Sequence, residues 1–376
     1  MNINFHYFAV KTLARCAGFC EEQAQQISKY SQFVDDYNYD SHINCSNIPK
    51  DIVNSKEFDL FTPAFHSNFS PTITGFSSPF DYASLIVKRE QKFILSPFHF
   101  TPFNELNAGK KDRRVVPLQF NDNSLIDRLL NNIINEYHNG EKWNIALMKL
   151  GMLLHVFADT HAHQMFTGFD SWANKVLIAE VKNNITNKTI TGTLSGIREI
   201  YTDTYKNIPA IGHAAAGHLP DLTNISFTAA YKLNSGDNYS GSYSRDNTEA
   251  FIKTAQYIYS YFKKCRGNLP ISDNDYSQDE LNTKLRHCFL TEIPKKDIVN
   301  NLSKHWNRYF PDIKYHYDSK EIKNQFHLAA TEKGSHTNAF TAYTEEFYEY
   351  NIMANKLLIA LYGPQPRRKE KNLLRS

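Results

Sequence analysis

Residues 150–169 read LGMLLHVFADTHAHQMFTGF. Apolar residues surround nearly every turn from Trp143 to Phe166, so the stretch predicts a helix buried on all sides. Into it are set His155, Asp159, His161 and His163. On a helix of 3.6 residues per turn, positions i, i+4 and i+8 drift by only ~40° per step, so His155, Asp159 and His163 share one face and His161 points away from it. An ionised Asp in an apolar helix is costly unless it is paired or bound to a cation. Two imidazoles one turn to either side of it make a compact N,O,N edge suited to zinc or a similar ion. A hydrogen-bonded His–Asp–His ladder that only fixes packing is the competing reading of the same three residues.

Working outward, the fold reads as mainly α. Residues 3–17 and 20–36 predict an αα-hairpin, with Gly18 as the stop and acids in the first turn of the second helix. Further helices are predicted over 124–138, 143–166, 170–184, 193–207, 246–264, 277–290 and 296–308, then from 319, and from 338 to 362, where Gly363-Pro364 closes the last. Residues 223–245, rich in Tyr, Ser and Gly, predict a loop or hairpin. Residues 37–120 change character: Asn, Ser and Pro punctuate short runs such as PTITGF and QKFILSPFHF, which predicts a long irregular insertion with a few short strands. The expectation is one helical metal-binding domain over 1–364 and a basic tail over 365–376.

Composition narrows the function classes. A formal charge of +3, with basic residues scattered along the chain, gives no footprint for nucleic acid or an anionic membrane surface. The 5 Cys are odd in number and widely spaced, so they form no disulfide framework and read as free thiols. There is no basic leader before an apolar run and no stretch of about 18 apolar residues, which makes a cytoplasmic protein the default expectation. The chain has no adjacent His-Asp dipeptide, which argues against an HD-type phosphohydrolase.

Partners for the central edge lie elsewhere. His6 stands in NFHYFAV at the start of the first helix. Asp35 and Asp36 end the second, where acids oppose the helix dipole and call for a local reason such as a cation. His99 is flanked by aromatics and prolines in SPFHFTPF. His213, His218 and Asp221 lie in GHAAAGHLPDL, whose small residues allow close backbone approach. The candidate metal ligands are therefore His6, Asp36 (or Asp35), His99, His155, Asp159, His163, His213, His218 and Asp221, enough for two or three ions. His42, His66, His138, His161, His287, His305, His316, His327 and His336 read as ordinary.

The order of these residues resembles the zinc-dependent phospholipase C and S1/P1 nuclease superfamily. Its members have an N-terminal His, an early bridging Asp, a mid-chain His, a central HxxxD followed by another His, and a later His with an acid. That resemblance implies a multi-helical bundle holding three zinc ions. In the secreted members the free amine of an N-terminal Trp completes one zinc site, whereas this chain opens Met1-Asn2. NFHYFAV, ISKYSQFVDD, LGMLLHVFADTHAHQMFTG and GHAAAGHLPDL also resemble the signature stretches of a bacterial family of unknown function, over nearly the whole chain.

The implied activity is a metal-dependent phosphodiester hydrolase. Asp35 or Asp36 would bridge two ions and orient the water, and the substrate would be a phospholipid, a nucleotide or a nucleic acid. The alternative is a non-catalytic, metal-stabilised helical scaffold that binds a partner.

Overall fold

The computed structural model describes residues 1–38, 43–46, 48–54, 68–69, 71–75, 91–102, 114–140, 142–191, 210–232, 238–266, 276–292, 296–328 and 341–363. The backbone clusters into two compact units. One comprises Met1–Tyr37 with Thr74–Tyr317, and the other Asn38–Ile73 with Asp318–Ser376. The 37–120 stretch, read in sequence as one insertion in one domain, is divided between them.

The first unit is mainly α. A π-helical turn, Asn4–Ala9, runs directly into α1 (Val10–Cys16), and Gly18, at φ 99°, turns the chain into α2 (Glu21–Asp36). Lys11 is buried and ion-pairs with Glu21 at 2.7 Å, tying the two helices of the hairpin together. After the π-helix Gln91–His99 come α4 (Leu125–Asn139) and α5 (Trp143–Ala162); α3 lies in the second unit. The Ser124 side chain caps α4 by accepting from the Asp127 amide. Every residue of α5 from Ile145 to Ala162 is buried, as its all-round apolar sequence requires.

α2 and α5 pack at very short range. Gly151 lies so close to α2 that a Cβ there would overlap the carbonyl oxygen of Ile27 and crowd Ser31. The helical layer is completed by α6 (Asn247–Arg266), α7 (Gln278–Phe289) and α8 (Ile298–Trp306). Trp306 is fully buried and donates its indole N–H to Asn4 Oδ1 at 2.7 Å. No helix among the described residues is long and apolar enough to cross a membrane.

Two expectations are corrected. Residues 170–184 are not helical: a single 3-10 turn, Trp172–Asn174, leads into strand β3 (Val176–Asn183). With β4 (Thr189–Thr191), β5 (Ile225–Lys232) and β6 (Tyr239–Asp246) it forms a sheet of order β4-β3-β5-β6, antiparallel throughout. A bulge between Ile178 and Glu180 shifts the phase of β3, so Val176, Ile178 and Val181 all face the core. That spacing breaks the strict alternation by which a strand is read in sequence. The predicted 223–245 hairpin is β5–β6. The second correction is QKFILSPFH, read in sequence as part of an irregular insertion with a few short strands, which forms the π-helix that ends at His99. The predicted 193–207 helix lies outside the described residues. α5 ends at Ala162, four residues short of the predicted Phe166.

The second unit contains β1 (Ile43–Ser46), the short α3 (Lys50–Val53), β2 (Asn68–Phe69), α9 (Ser319–Gln325), β7 (Thr341–Ala342) and α10 (Glu345–Tyr362). β1 pairs antiparallel with β2 and parallel with β7. Asn351 of α10 accepts the Thr72 amide at 2.8 Å. None of the residues described next belongs to this unit.

Candidate metal centre

Asp159 is the hub. Its Oδ1 accepts from the Met1 α-amine and lies 3.1 Å from His6 Nε2. Its Oδ2 lies 3.2 Å from His99 Nδ1, 3.3 Å from His155 Nε2 and 3.6 Å from His163 Nδ1. The His6 and His155 rings stack with centroids 3.9 Å apart. Asp35 closes one side, with its Oδ1 3.7 Å from His99 Nδ1 and 3.8 Å from His155 Nε2. Gln32, one turn earlier on α2, donates to the other oxygen of Asp35 at 3.2 Å. On the opposite side Asp221 Oδ1 lies 2.9 Å from His163 Nε2 and 3.2 Å from the Met1 nitrogen, and its Oδ2 lies 3.3 Å from His213 Nε2.

Three ligand-like groups result, each with its donor atoms within 4.8 Å of one another: His6–His155–Asp159, Asp35–His99–His155 and His163–His213–Asp221. The first is sealed, since His6 and His155 are 0% and Asp159 1% exposed. Asp35, with 31% of its side chain exposed, opens the second group to solvent.

The backbone decides which nitrogen of each imidazole is available. His155 Nδ1 donates to the Ser31 carbonyl at 2.8 Å, and His99 Nε2 to the Thr74 carbonyl at 2.7 Å. His163 Nδ1 donates to the His99 carbonyl at 2.6 Å, and His213 Nδ1 to the Gly217 carbonyl at 2.7 Å. A carbonyl only accepts, so each of these nitrogens carries its proton. The other nitrogen of each ring faces the Asp35, Asp159 or Asp221 carboxylate, and in the ring's neutral form that nitrogen is a lone pair. Acceptors facing acceptors in a buried space repel unless protons or cations lie between them. One ring nitrogen fixed on a carbonyl and the other turned toward carboxylates is an arrangement shared with metal-bound histidine. The buried Nδ1 of His6 has no hydrogen-bond partner.

The charges bear this out. Burial pushes the Asp159 carboxyl up, but the Met1 amine, then His163, His155 and His6, outweigh it and hold it well below the usual carboxylate range. Asp221 is likewise held low against burial, by His213, the Met1 amine and His163. Burial lowers the Met1 amine, but Asp159, Asp221 and Asp35 overcome that and raise it to about 10. Burial, with His155 and the Met1 amine, drives His6 down to about 3. Burial drives His213 down to about 4. The donor set is therefore two ionised buried carboxylates facing imidazoles of which at least two resist protonation.

The sequence-predicted residues do not all converge. His6, Asp35, His99, His155, Asp159, His163, His213 and Asp221 do. Asp36 does not: it points the other way on α2 and accepts from the Tyr317 hydroxyl, so of the two acids only Asp35 is placed to act. His218 is exposed at the start of a 3-10 turn and joins no ligand group among the described residues. His161 faces away, as its position on the helix predicts, and donates from Nε2 to the Leu118 carbonyl at 2.8 Å.

Sequence reasoning gave no role to Met1, because the resemblance pointed to a Trp amine. The structure puts the Met1 nitrogen between Asp159 and Asp221. Asn2 holds it there, with Nδ2 donating to the Asp221 carbonyl and Oδ1 accepting from the Asn4 amide. The asparagines in MNIN, able to cap and cross-link a chain end, were the available signal.

Acid should unfold the chelated protein at a mild pH. Burial depresses His6 to about 3 and His161 and His213 to about 4. The unfolded chain therefore takes up these three protons near pH 6.5 while the folded one does not. Stability is full above that pH and is lost as pH falls from 6.5 toward 4, by about 1 kcal/mol per pH unit for each such histidine. His99 is shifted upward: burial lowers it, but Asp159 and Asp35 outweigh burial. It works in the opposite sense and offsets part of the loss near pH 6.5. Chemical denaturation in chelator at pH 7.5, 6 and 5 measures the net slope, and a flat profile would contradict the neutral burial of these rings.

No curated protein and no solved structure matches this chain. A family model does match, over residues 1–360. That span takes in every residue of the centre from Met1 to Asp221, and the chain belongs to that family of unknown function, DUF6765.

Proposed function

We propose that this protein is a metal-dependent hydrolase of phosphodiester bonds, with a zinc centre of the phospholipase C and P1 nuclease kind. The observation that carries the reading is the set of four imidazoles, each pinned through one nitrogen to a backbone carbonyl with the other aimed at shared carboxylates. The multi-helical setting of the first unit is compatible with such a bundle.

Asp35 and His99 with His155 would hold one ion, His163, His213 and Asp221 a second, and His6 and Asp159, beside His155, a third. Divalent cations there would supply an acidified water and neutralise charge developing at phosphorus. Asp35 has a solvent-facing carboxylate edge and Gln32 steadying its other oxygen. It is placed to accept a hydrogen bond from an entering water and to take its proton. The buried rings of His6 and His155 keep water from the inner side. The substrate class, whether phospholipid, nucleotide or nucleic acid, follows from the chemistry of the phosphodiester alone.

One observation favours a second reading. The His6–His155–Asp159 group is closed to solvent, as in a structural metal site, so the protein could be a metal-stabilised scaffold without turnover.

Elemental mass spectrometry of untagged protein and turnover of bis(p-nitrophenyl) phosphate separate the two. The hydrolase reading expects two or three ions per chain and a rate that falls about 100-fold or more in Asp35→Asn. Bound metal with no turnover of any phosphodiester supports the scaffold. A metal-free protein whose melting temperature ignores chelator would end both readings.

A further inference from the structure

The His163–His213–Asp221 group has no single element to hold it. His163 follows the last turn of α5, His213 precedes the 3-10 turn Ala214–Ala216, and Asp221 closes the turn Leu219–Asp221. Two of these segments, those that carry His163 and Asp221, meet on one side chain. Arg245, near the end of β6, is 7% exposed. Its Nη1 donates to the carbonyls of His161, at 3.2 Å, and Ala162. Its Nη2 donates to the Pro220 carbonyl at 2.8 Å, and its Nε to Asn247 Oδ1 at 2.6 Å. Asn247 in turn donates from Nδ2 to the Leu219 and Leu222 carbonyls, both at 2.7 Å, so its two bonds bracket Asp221. The guanidinium also lies over the Phe227 ring, 5.3 Å from its centroid.

Among the described residues no carboxylate lies within ion-pair distance of this buried cation. A buried charge without such a partner is expensive, and an apolar residue would fill the space at lower cost. What the guanidinium supplies is a rigid planar fork of five donors, which gathers carbonyls from two separate segments at fixed spacing. One of those segments ends in His163 and the other in Asp221.

We propose that Arg245, acting with Asn247, is the positioning residue of the His163–His213–Asp221 subsite and sets the separation at which a divalent cation binds there. The inference rests on the metal reading above. Arg245 makes no contact with Asp35, His99 or His155, so that group is independent of it.

The sign of the effect separates positioning from simple electrostatics. A positive charge behind Asp221 opposes a second cation. If charge were the whole role, Arg245→Gln would tighten the metal and Arg245→Lys would leave it unchanged. If placement is the role, both loosen it.

The experiment is a cobalt(II) titration of the chelator-treated full chain, followed by visible absorption and calorimetry. His213→Ala identifies the step belonging to this subsite, and Asp35→Asn the step belonging to the other. Arg245→Lys and Asn247→Ala are expected to weaken the first step by about 10- to 100-fold, the usual cost of losing an outer-sphere partner, and to leave the second unchanged. Should Arg245→Lys fail to fold, Asn247→Ala carries the test by itself. A folded variant with a lower melting temperature and an unchanged first step overturns the positioning role. Wild-type protein that takes up no cobalt overturns the metal reading itself, which is a different result.

Discussion

On the metal reading proposed above, Asp159→Asn protein is expected to lose its metal, and in either case about 3 kcal/mol of metal-free stability. Asp159 is the one carboxylate that touches the Met1 amine, His6, His99, His155 and His163. Removing its charge takes an anionic ligand from the sealed group and a neighbour from both others. Loss of an outer-sphere partner already costs about 10- to 100-fold in affinity, so loss of this residue should cost at least ~100-fold. In chelated protein the same change leaves the buried Met1 ammonium with Asp221 as its close carboxylate partner, at 3.2 Å. Breaking a buried pair from one side is strongly destabilising because the remaining charge stays desolvated. Elemental mass spectrometry measures the first effect and denaturant melts in chelator the second. A variant that keeps wild-type metal content would remove Asp159 from the centre altogether.

Gly151→Val should destabilise the fold by about 3 kcal/mol and disable the centre as well. A Cβ at this position would overlap the Ile27 carbonyl oxygen and crowd the Ser31 amide, both backbone atoms of α2 that cannot swing aside. The added methyl groups force α2 and α5 apart. Ser31 provides the carbonyl that fixes His155, and Asp35 lies one turn further along α2. The displacement therefore releases the His155 tautomer and withdraws Asp35 together. A cavity-making change of similar cost far from the centre, such as Leu281→Ala in α7, is the control. It should lower stability without weakening metal binding in the protein that remains folded. Equal loss of affinity in both variants would mean that the α2–α5 separation has no special bearing on the centre.

The parts legible in the sequence were those written in local periodicity. His155 and Asp159 lie one turn apart near the end of the buried helix α5 and His163 caps it four residues further on, so just over two turns bring them together without help from the rest of the chain. The β5–β6 hairpin was legible because turn residues separate two runs that pair with each other. Asp35 and Asp36 could not be told apart from sequence, since both stand at the C-terminal end of α2 and only the rotation of that helix against α5 selects Asp35. β3 was misread because its bulge interrupts the strict alternation of buried residues that marks a strand. Arg245, Asn247 and Met1 were missed for a common reason. Their contacts span 83, 28 and 158 residues, and only Met1, beside the asparagines of MNIN, has a local signal.

The short N-terminal segment also fixes when the centre can exist. Asn2 is bonded to the Asp221 carbonyl, Asn4 to Thr223, and Asn4 again to Trp306. During synthesis these residues leave the ribosome well before Trp306, their anchor some three hundred residues later. At about 5–20 residues per second that interval is roughly 15–60 s. Throughout it the aromatic stretch NFHYF has no Trp306 to dock on. Closing so long a loop makes the docking a late, non-local event. All the candidate ligands are synthesised by residue 221, but the indole bond to Asn4, two residues from His6, is made only after translation has passed residue 306.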